Sequence, residues 1–394
     1  MIEREITPTL TSLFKQYPVV TVTGPRQSGK TTLCRSAFPD LAYFNLEQSD
    51  QREFAIEDPR GFLKGCGDGA VIDEIQRAPE LVSYIQVIVD ETRRNGRFVL
   101  TGSRQFRITE AVSQSLAGRT ALLRLLPFSI QEALQARSEL TADELIHTGF
   151  YPRIYDHDLD PTAALGDYFE TYVERDLRQI SEIRNLSAFR KFVRLCAGRT
   201  GQLLNLHSLG NDAGVSHTTA RQWISILEAS YIVFLLEPFH ANISKRLIKS
   251  PKLYFFDVGL AAYLLGIETP RQVTTHPLKG FLFENLVVVE ALKHRFDHGK
   301  RSNLSFYRDS SGTEVDLLYS LADQFLAVEI KAGETVSSSF FSNLRKLRKY
   351  LPERVADEIL VHGAETAVVR DHVHVTGPVG FVPTLTELEH TVKR

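Results

Sequence analysis

The chain has 394 residues, 43% hydrophobic and 24% charged, with a formal net charge of −2. Such a chain suits two or three globular domains with a sizeable core, and its balance of charge excludes a bulk electrostatic pull towards nucleic acid, leaving only local patches. Cys34, Cys66 and Cys196 are far apart without metal-ligand spacing, MIEREITPTL lacks an apolar signal core, and no apolar run nears the roughly 18 residues of a membrane span, so a reducing cytoplasm with no membrane partner is expected.

In chain order, Glu3 to Gln16 predicts an amphipathic helix ended by Pro18. Val19 to Val22 then reads as a buried strand, and a helix pattern starts near Gly29-Lys30-Thr31. Between them stands Gly24-Pro25-Arg26-Gln27-Ser28-Gly29-Lys30-Thr31, a phosphate loop in strand–loop–helix context, with Thr32 next in line. Glycines let successive N–H groups turn inward on a phosphate, and the new helix adds its positive end. The spacing implies a nucleoside triphosphate, ATP, with Lys30 at its β- and γ-phosphates and Thr31 on Mg²⁺.

A second short strand is expected at Ala42 to Leu46, and Asp58-Pro59 reads as an N-cap with proline in the first turn. Ala70-Val71-Ile72-Asp73-Glu74 is an apolar run ending in two acids. At the carboxyl end of a parallel strand these lie beside the phosphate loop, Asp73 on the Mg²⁺ shell and Glu74 polarising the attacking water. Arg97 to Thr101 is the next strand, and Ser103 at its tip is a candidate γ-phosphate sensor. Arg119 is either a surface arginine or an arginine finger, which would require a neighbouring copy, hence a homo-oligomer, or a domain rotation. Ala121 to Leu126 completes a helix-covered parallel sheet.

From Phe128 to about Gly201 the periodicity is helical, with a break at Gly149-Phe150-Tyr151-Pro152 and a charged helix at Tyr168 to Ile183. Glu174, Arg175 and Asp176 there suit a lid or, as such runs usually do, a solvated face. A helix from Leu206, a turn at Gly214 to Ser216, a second helix from His217 to Glu228 capped by Ser216, and strands at Tyr231 to Leu236 and Leu253 to Phe256 make a winged-helix pattern. Thr218, Arg221 and Gln222 on its exposed face would meet double-stranded DNA; equally, such a module serves as a lid.

The last region begins near Gly280 with an apolar helix, Phe281 to Phe296, carrying Glu284. A hairpin follows (Asn303 to Arg308, Glu314 to Tyr319), then a strand from Gln324 to Ala332, a basic helix around Arg345 to Lys349, and a strand at Ile359 to Val361. Glu329 and Lys331, two residues apart, share one strand face, and Asp316 sits on the adjacent strand. With Glu284 these can hold divalent metal through oxygen and polarise a phosphodiester, with Lys331 neutralising charge.

Taken together, GPRQSGKTT, AVIDEIQ, VLTGS, LAGR, ETYVERDL, FDVGL, GFLFENLVVVE, EVDLL and AVEIKAG resemble a large prokaryotic family of AAA-type ATPases with a C-terminal PD-(D/E)XK nuclease-like domain of unknown function. The resemblance implies ATP binding through Lys30, Thr31, Asp73 and Glu74, and a nuclease-like site at Glu284, Asp316, Glu329 and Lys331. The chain departs from the pattern at Arg104-Gln105-Phe106, where small residues are expected. The expected fold is α/β: a P-loop NTPase sheet over residues 1–135, a helical lid over 136–202, a winged helix over 203–260 and a restriction-endonuclease-like domain over 261–394. Two functions are expected to compete: ATP-driven action on DNA, and a nucleotide-switched scaffold with an inactive nuclease fold.

Overall fold

The computed structural model describes residues 2–103, 115–174, 183, 185–239 and 249–392. The chain divides into two compact units, one of residues 1–128, 229–231 and 295–301, the other of 129–228, 232–294 and 302–394.

The first unit is built on α1 (Thr7–Gln16), β1 (Val19–Thr23), α2 (Lys30–Ala37), β2 (Ala42–Asn45), α3 (Ser49–Glu57), α4 (Pro59–Gly65), β3 (Ala70–Asp73), α5 (Leu81–Thr92), β4 (Phe98–Gly102) and β5 (Thr120–Arg124). Helix α1 starts later than Glu3 because Pro8 fits only its first turn. Asp58 caps α4 as its sequence predicts, accepting from Gly61 N at 2.9 Å. The strands form one parallel sheet in the order β2-β3-β4-β1-β5. Parallel strands buried on both faces need apolar side chains throughout, and β1 and β3 are buried end to end. Val20, Val22, Val71, Val99 and Leu123 pack with Leu10 and Leu33 on one face. Val19, Ile72 and Leu100 pack with Phe62, Leu81 and Ile85 on the other. This order sets the tips of β1, β4 and β3 side by side at the unit's carboxyl edge.

The second unit opens with short helices at Ile130–Ala136, Ala142–Thr148, Pro152–Asp156 and Pro161–Tyr168. The expected break at Gly149 is sharp. Gly149 has φ +67°, and a Cβ there would stand 2.4 Å from Asp257 Oδ1. Asp257 accepts from Phe150 N at 2.7 Å and Leu260 N at 2.9 Å, tying the break to a helix at Val258–Leu264. The helix expected from Tyr168 to Ile183 passes into a π-helical turn at Phe169–Glu174; Arg175, Asp176 and the Glu174 side chain lie outside the described residues, as do Arg104, Gln105 and Phe106.

Further on, α6 (Leu206–Ala213) and α7 (His217–Ala229) flank Gly214, φ +77°, and Ser216 caps α7 by accepting from Thr219 N at 3.1 Å. Strands β6 (Gln202–Leu203), β7 (Val233–Leu236) and β8 (Lys252–Phe255) form an antiparallel sheet in the order β6-β8-β7. Strand β7 starts after Tyr231, whose φ of +56° breaks extended geometry. Beyond α8 (Lys279–Asp297) comes a six-stranded sheet, β13-β14-β12-β11-β10-β9. Its strands are β9 (Leu304–Arg308), β10 (Glu314–Leu321), β11 (Gln324–Lys331), β12 (Val355–His362), β13 (Ala367–Arg370) and β14 (Val373–Thr376), with α9 (Ser342–Tyr350) between β11 and β12. Leu318, Ala327, Leu344, Leu347 and Leu360 share its core. Among the described residues no helix is long and apolar enough to cross a membrane.

Candidate nucleotide site and acidic cluster

The loop between β1 and α2 is shaped by what glycine permits. A Cβ on Gly24 (φ +153°) would fall 2.0 Å from Leu125 O, and Gly29 (φ +89°) turns the chain left-handed into α2. From behind, Arg4 donates to Ser28 O at 2.7 Å and Leu126 O at 2.8 Å while lying 5.0 Å over the Phe128 ring. Lys30 is 6% exposed and folds back on the loop, donating to Gly24 O at 3.0 Å and Pro25 O at 2.6 Å. Burial pulls its ammonium down to about 8, against the raising effect of Glu74 and Asp73. Ser28 Oγ is buried with no hydrogen-bond partner among the described residues, and such an orphan in a phosphate loop fits an arriving oxyanion. Gln27, at φ +60°, and Thr32 are exposed at the loop and on α2, while Pro25 is buried and Arg26 half-buried.

Asp73 ends β3 and is 3% exposed. Thr31 Oγ1 donates to its Oδ2 at 2.6 Å and Tyr43 OH at 2.8 Å, while Thr101 Oγ1 donates to Oδ1. Thr31 and Asp73 therefore meet across the sheet tips, as an Mg²⁺ shell requires of its ligands. Glu74 has φ +59°, a left-handed turn that takes its carboxylate off the strand line. Its Oε2 accepts from Gln76 Nε2 and, at 3.4 Å, from Ser103 Oγ. Burial raises the Glu74 pKa, with Lys30 opposing. Ser103 thus holds Glu74. Arg119 stands elsewhere: its carbonyl accepts from Val19 N at 3.3 Å, at the amino end of β1 and roughly 13 Å along the strand from the loop. Its guanidinium grips Asp90 of α5 at 2.5 and 2.9 Å.

In the second unit the register Leu317↔Val328 brings Asp316 opposite Glu329. A bulge in β10 between Val315 and Leu318 re-aims Asp316, whose Oδ2 accepts from Ile330 N at 2.8 Å. Lys331 Nζ lies 2.8 Å from Glu329 Oε1 and 3.3 Å from Asp316 Oδ2. The expected meeting of Asp316, Glu329 and Lys331 is present. Glu284 of α8 joins differently. Its Oε1 accepts from Lys252 Nζ at 2.8 Å and Tyr254 OH at 2.5 Å, and Lys252 Nζ also lies 2.5 Å from Glu314 and 3.9 Å from Asp316. Burial works against the charge of Lys252, yet Glu284, Asp316 and Glu314 together raise its pKa; burial also raises those of Glu284 and Glu329.

The oxygen-only metal shell expected over Glu284, Asp316 and Glu329 therefore differs from what is built. Ammonium groups stand between these acids, and among the described residues no three His, Cys, Asp or Glu side chains are arranged to hold a metal ion. The reason is Lys252, which arrives on β8, far upstream of the other cluster residues. The sequence pattern starts the hairpin strand at Leu253, one residue after it. Sequence reasoning also passed over Glu314, Tyr43, Thr101, Gln76 and Arg4. For Thr101 a signal existed, a polar residue at the tip of an apolar strand two positions before Ser103. Arg4 and Tyr43 have none in their own surroundings.

A phosphate loop between β1 and α2, an acidic pair at the tip of β3 and a parallel sheet ordered β2-β3-β4-β1-β5 define a P-loop NTPase of the AAA type. Residues 16–134 match the AAA domain, residues 140–271 a domain of unknown function (DUF8612) and residues 279–381 another (DUF4143). Uncharacterized proteins of Mycobacterium tuberculosis and Mycobacterium bovis are each 32% identical over 346 residues, 85% of this chain and 75% of theirs. The chain belongs to their family. An uncharacterized Haemophilus influenzae protein is 22% identical over 78% of this chain and 81% of its own. Solved structures align loosely. A Walker-type ATPase of Pyrococcus abyssi gives a TM-score of 0.45 at 14% identity, over 67% of this chain and 96% of that one. AMPPCP-bound DnaA of Aquifex aeolicus gives 0.30 at 18%, over 57% and 85%.

Proposed function

We propose that the chain hydrolyses Mg-ATP and uses the cycle to switch action on double-stranded DNA. The observation that supports this best is the 2.6 Å contact between Thr31 Oγ1 and Asp73 Oδ2 beneath a loop whose buried Ser28 Oγ lacks a partner among the described residues. Lys30, released from Gly24 O and Pro25 O, neutralises the transferring phosphoryl charge; Thr31 and Asp73 hold the ion; Glu74 orients and accepts a proton from the attacking water, kept in place by Gln76 and Ser103. When bound by Thr31 and Asp73, Mg²⁺ would supply charge neutralisation for the phosphates. Titration with a fluorescent ATP analogue tests the reading: wild type binds with Mg²⁺, and Lys30→Ala weakens binding at least about tenfold. Equal binding by both would overturn it.

The DNA arm rests on α6 and α7 backed by β6-β8-β7, a winged-helix arrangement with Thr218, Arg221 and Gln222 on α7. A gel-shift series with duplex should weaken with salt and with Arg221→Ala. No binding at low salt would leave the nucleotide-switched scaffold, which the ammonium of Lys252 amid Glu284, Glu314 and Asp316 also favours. One observation favours the nuclease-like reading instead: Glu329 Oε2 is buried with no hydrogen-bond partner among the described residues, beside Asp316 and Lys331. Cleavage of duplex with Mg²⁺ or Mn²⁺, lost in Asp316→Ala while ATP turnover stays, would establish it; no cleavage by wild type would retire it.

A further inference from the structure

Strand β5 is an edge of the first sheet. It pairs with β1 and, among the described residues, with no strand on its other side. Ala121 and Leu123 turn into the core, while Leu122 is 53% exposed, a large apolar side chain on a free edge. A cavity of about 680 Å³ follows this edge from Thr120 to Arg124. Leu13, Tyr17 and Phe296 give its wall an apolar stretch; Arg124, Lys300 and Arg301 give it positive charge, and among the described residues no carboxylate lines it. The Arg124 guanidinium lies 5.1 Å over the Phe296 ring, so charge and apolar surface are contiguous.

We propose that this edge receives an extended, acidic segment of a partner protein, added to the sheet as a further strand beside β5. An unpaired strand edge offers alternating N–H and C=O groups that another polypeptide strand matches; the Thr120 N–H already donates to Leu116 O at 3.2 Å, so the incoming strand pairs from Leu122 onward. Alternation along the incoming strand places every second side chain on one face, so an apolar row meets Leu13 and Tyr17 on the side of Ala121 and Leu123 while an acidic row approaches Arg124 on the side of Leu122. Charge complementarity selects the sign of the partner. A nucleic acid fits less well, because its phosphates are acceptors only and leave the outward carbonyls of β5 without donors. The proposal does not depend on the ATPase reading.

Fluorescence anisotropy of labelled (Glu-Val)₄ and (Lys-Val)₄ peptides with the full chain tests this, with hydrogen exchange read at residues 120–124. The expected result is binding of the acidic peptide at least about tenfold tighter than the basic one, slowed exchange at 120–124, and at least about tenfold weakening in both Leu122→Asp and Arg124→Glu. If Arg124→Glu melts early, Arg124→Gln reads the same charge at lower structural cost. Equal binding of the two peptides, wild-type binding by the variants, or protection of 120–124 by a thymidine oligonucleotide and not by the acidic peptide would each overturn the proposal.

Discussion

At Asp73 every carboxylate oxygen already has a hydroxyl donor: Thr31 and Tyr43 on Oδ2, Thr101 on Oδ1. A hydrogen bond to a charged group contributes about 1.5–3 kcal/mol, so Tyr43→Phe should lower unfolding stability by about that amount in a urea titration, with ATP still bound. Unchanged stability would mean that Tyr43 merely covers the acid. The cysteines make a second case. All are free and buried, and burial pushes the Cys66 thiol from 9.0 up to about 12 and raises Cys34 and Cys196 as well. Between those values for Cys66 the unfolded chain has lost a proton that the folded chain keeps, so stability from this source is present below about pH 9 and falls as pH rises towards 12. A thiol reagent at neutral pH should accordingly label the folded chain slowly and the urea-unfolded chain at once; fast labelling of the folded chain would contradict the burial.

At the scale of elements, β8 carries the least anticipated consequence. Its Lys252 is 2% exposed and neutralises Glu284 and Glu314 together, so removing the ammonium leaves buried charge without its partner. Lys252→Met should cost about 3–5 kcal/mol of stability, visible as a large fall in melting temperature. A melting temperature equal to wild type would show that water already serves these acids. The strands themselves were largely legible in the sequence, because β1, β3 and β4 are apolar runs closed by glycine or acid, and caps such as Asp58 and Ser216 act over three residues. What was illegible is the pairing of distant segments. Nothing near Lys252 announces Glu284, and nothing near Arg4 announces Ser28 O or Leu126 O. The hairpin β13–β14 was passed over for a related reason: each strand is only four residues, and β13 is exposed along its length, so no burial pattern marks it.

Over the whole molecule, the two units carry different chemistry. In the first, the acids face a loop built for phosphate; in the second, comparable acids are matched by Lys252 of β8 and Lys331 of β11. The same local signature, carboxylates at the ends of apolar strands, therefore has two outcomes, and only long-range pairing separates them. The phosphate loop escaped this ambiguity since all its parts lie within fifteen residues of sequence, Val19 to Leu33. Hydrolysis at that loop is tested by ATP turnover in Glu74→Gln against wild type, with nucleotide binding followed in parallel. The prediction is wild-type binding with turnover slowed by about 10²–10⁴-fold, since the role proposed for Glu74 is to accept the water proton and not to bind nucleotide. Turnover in Glu74→Gln equal to wild type would contradict it.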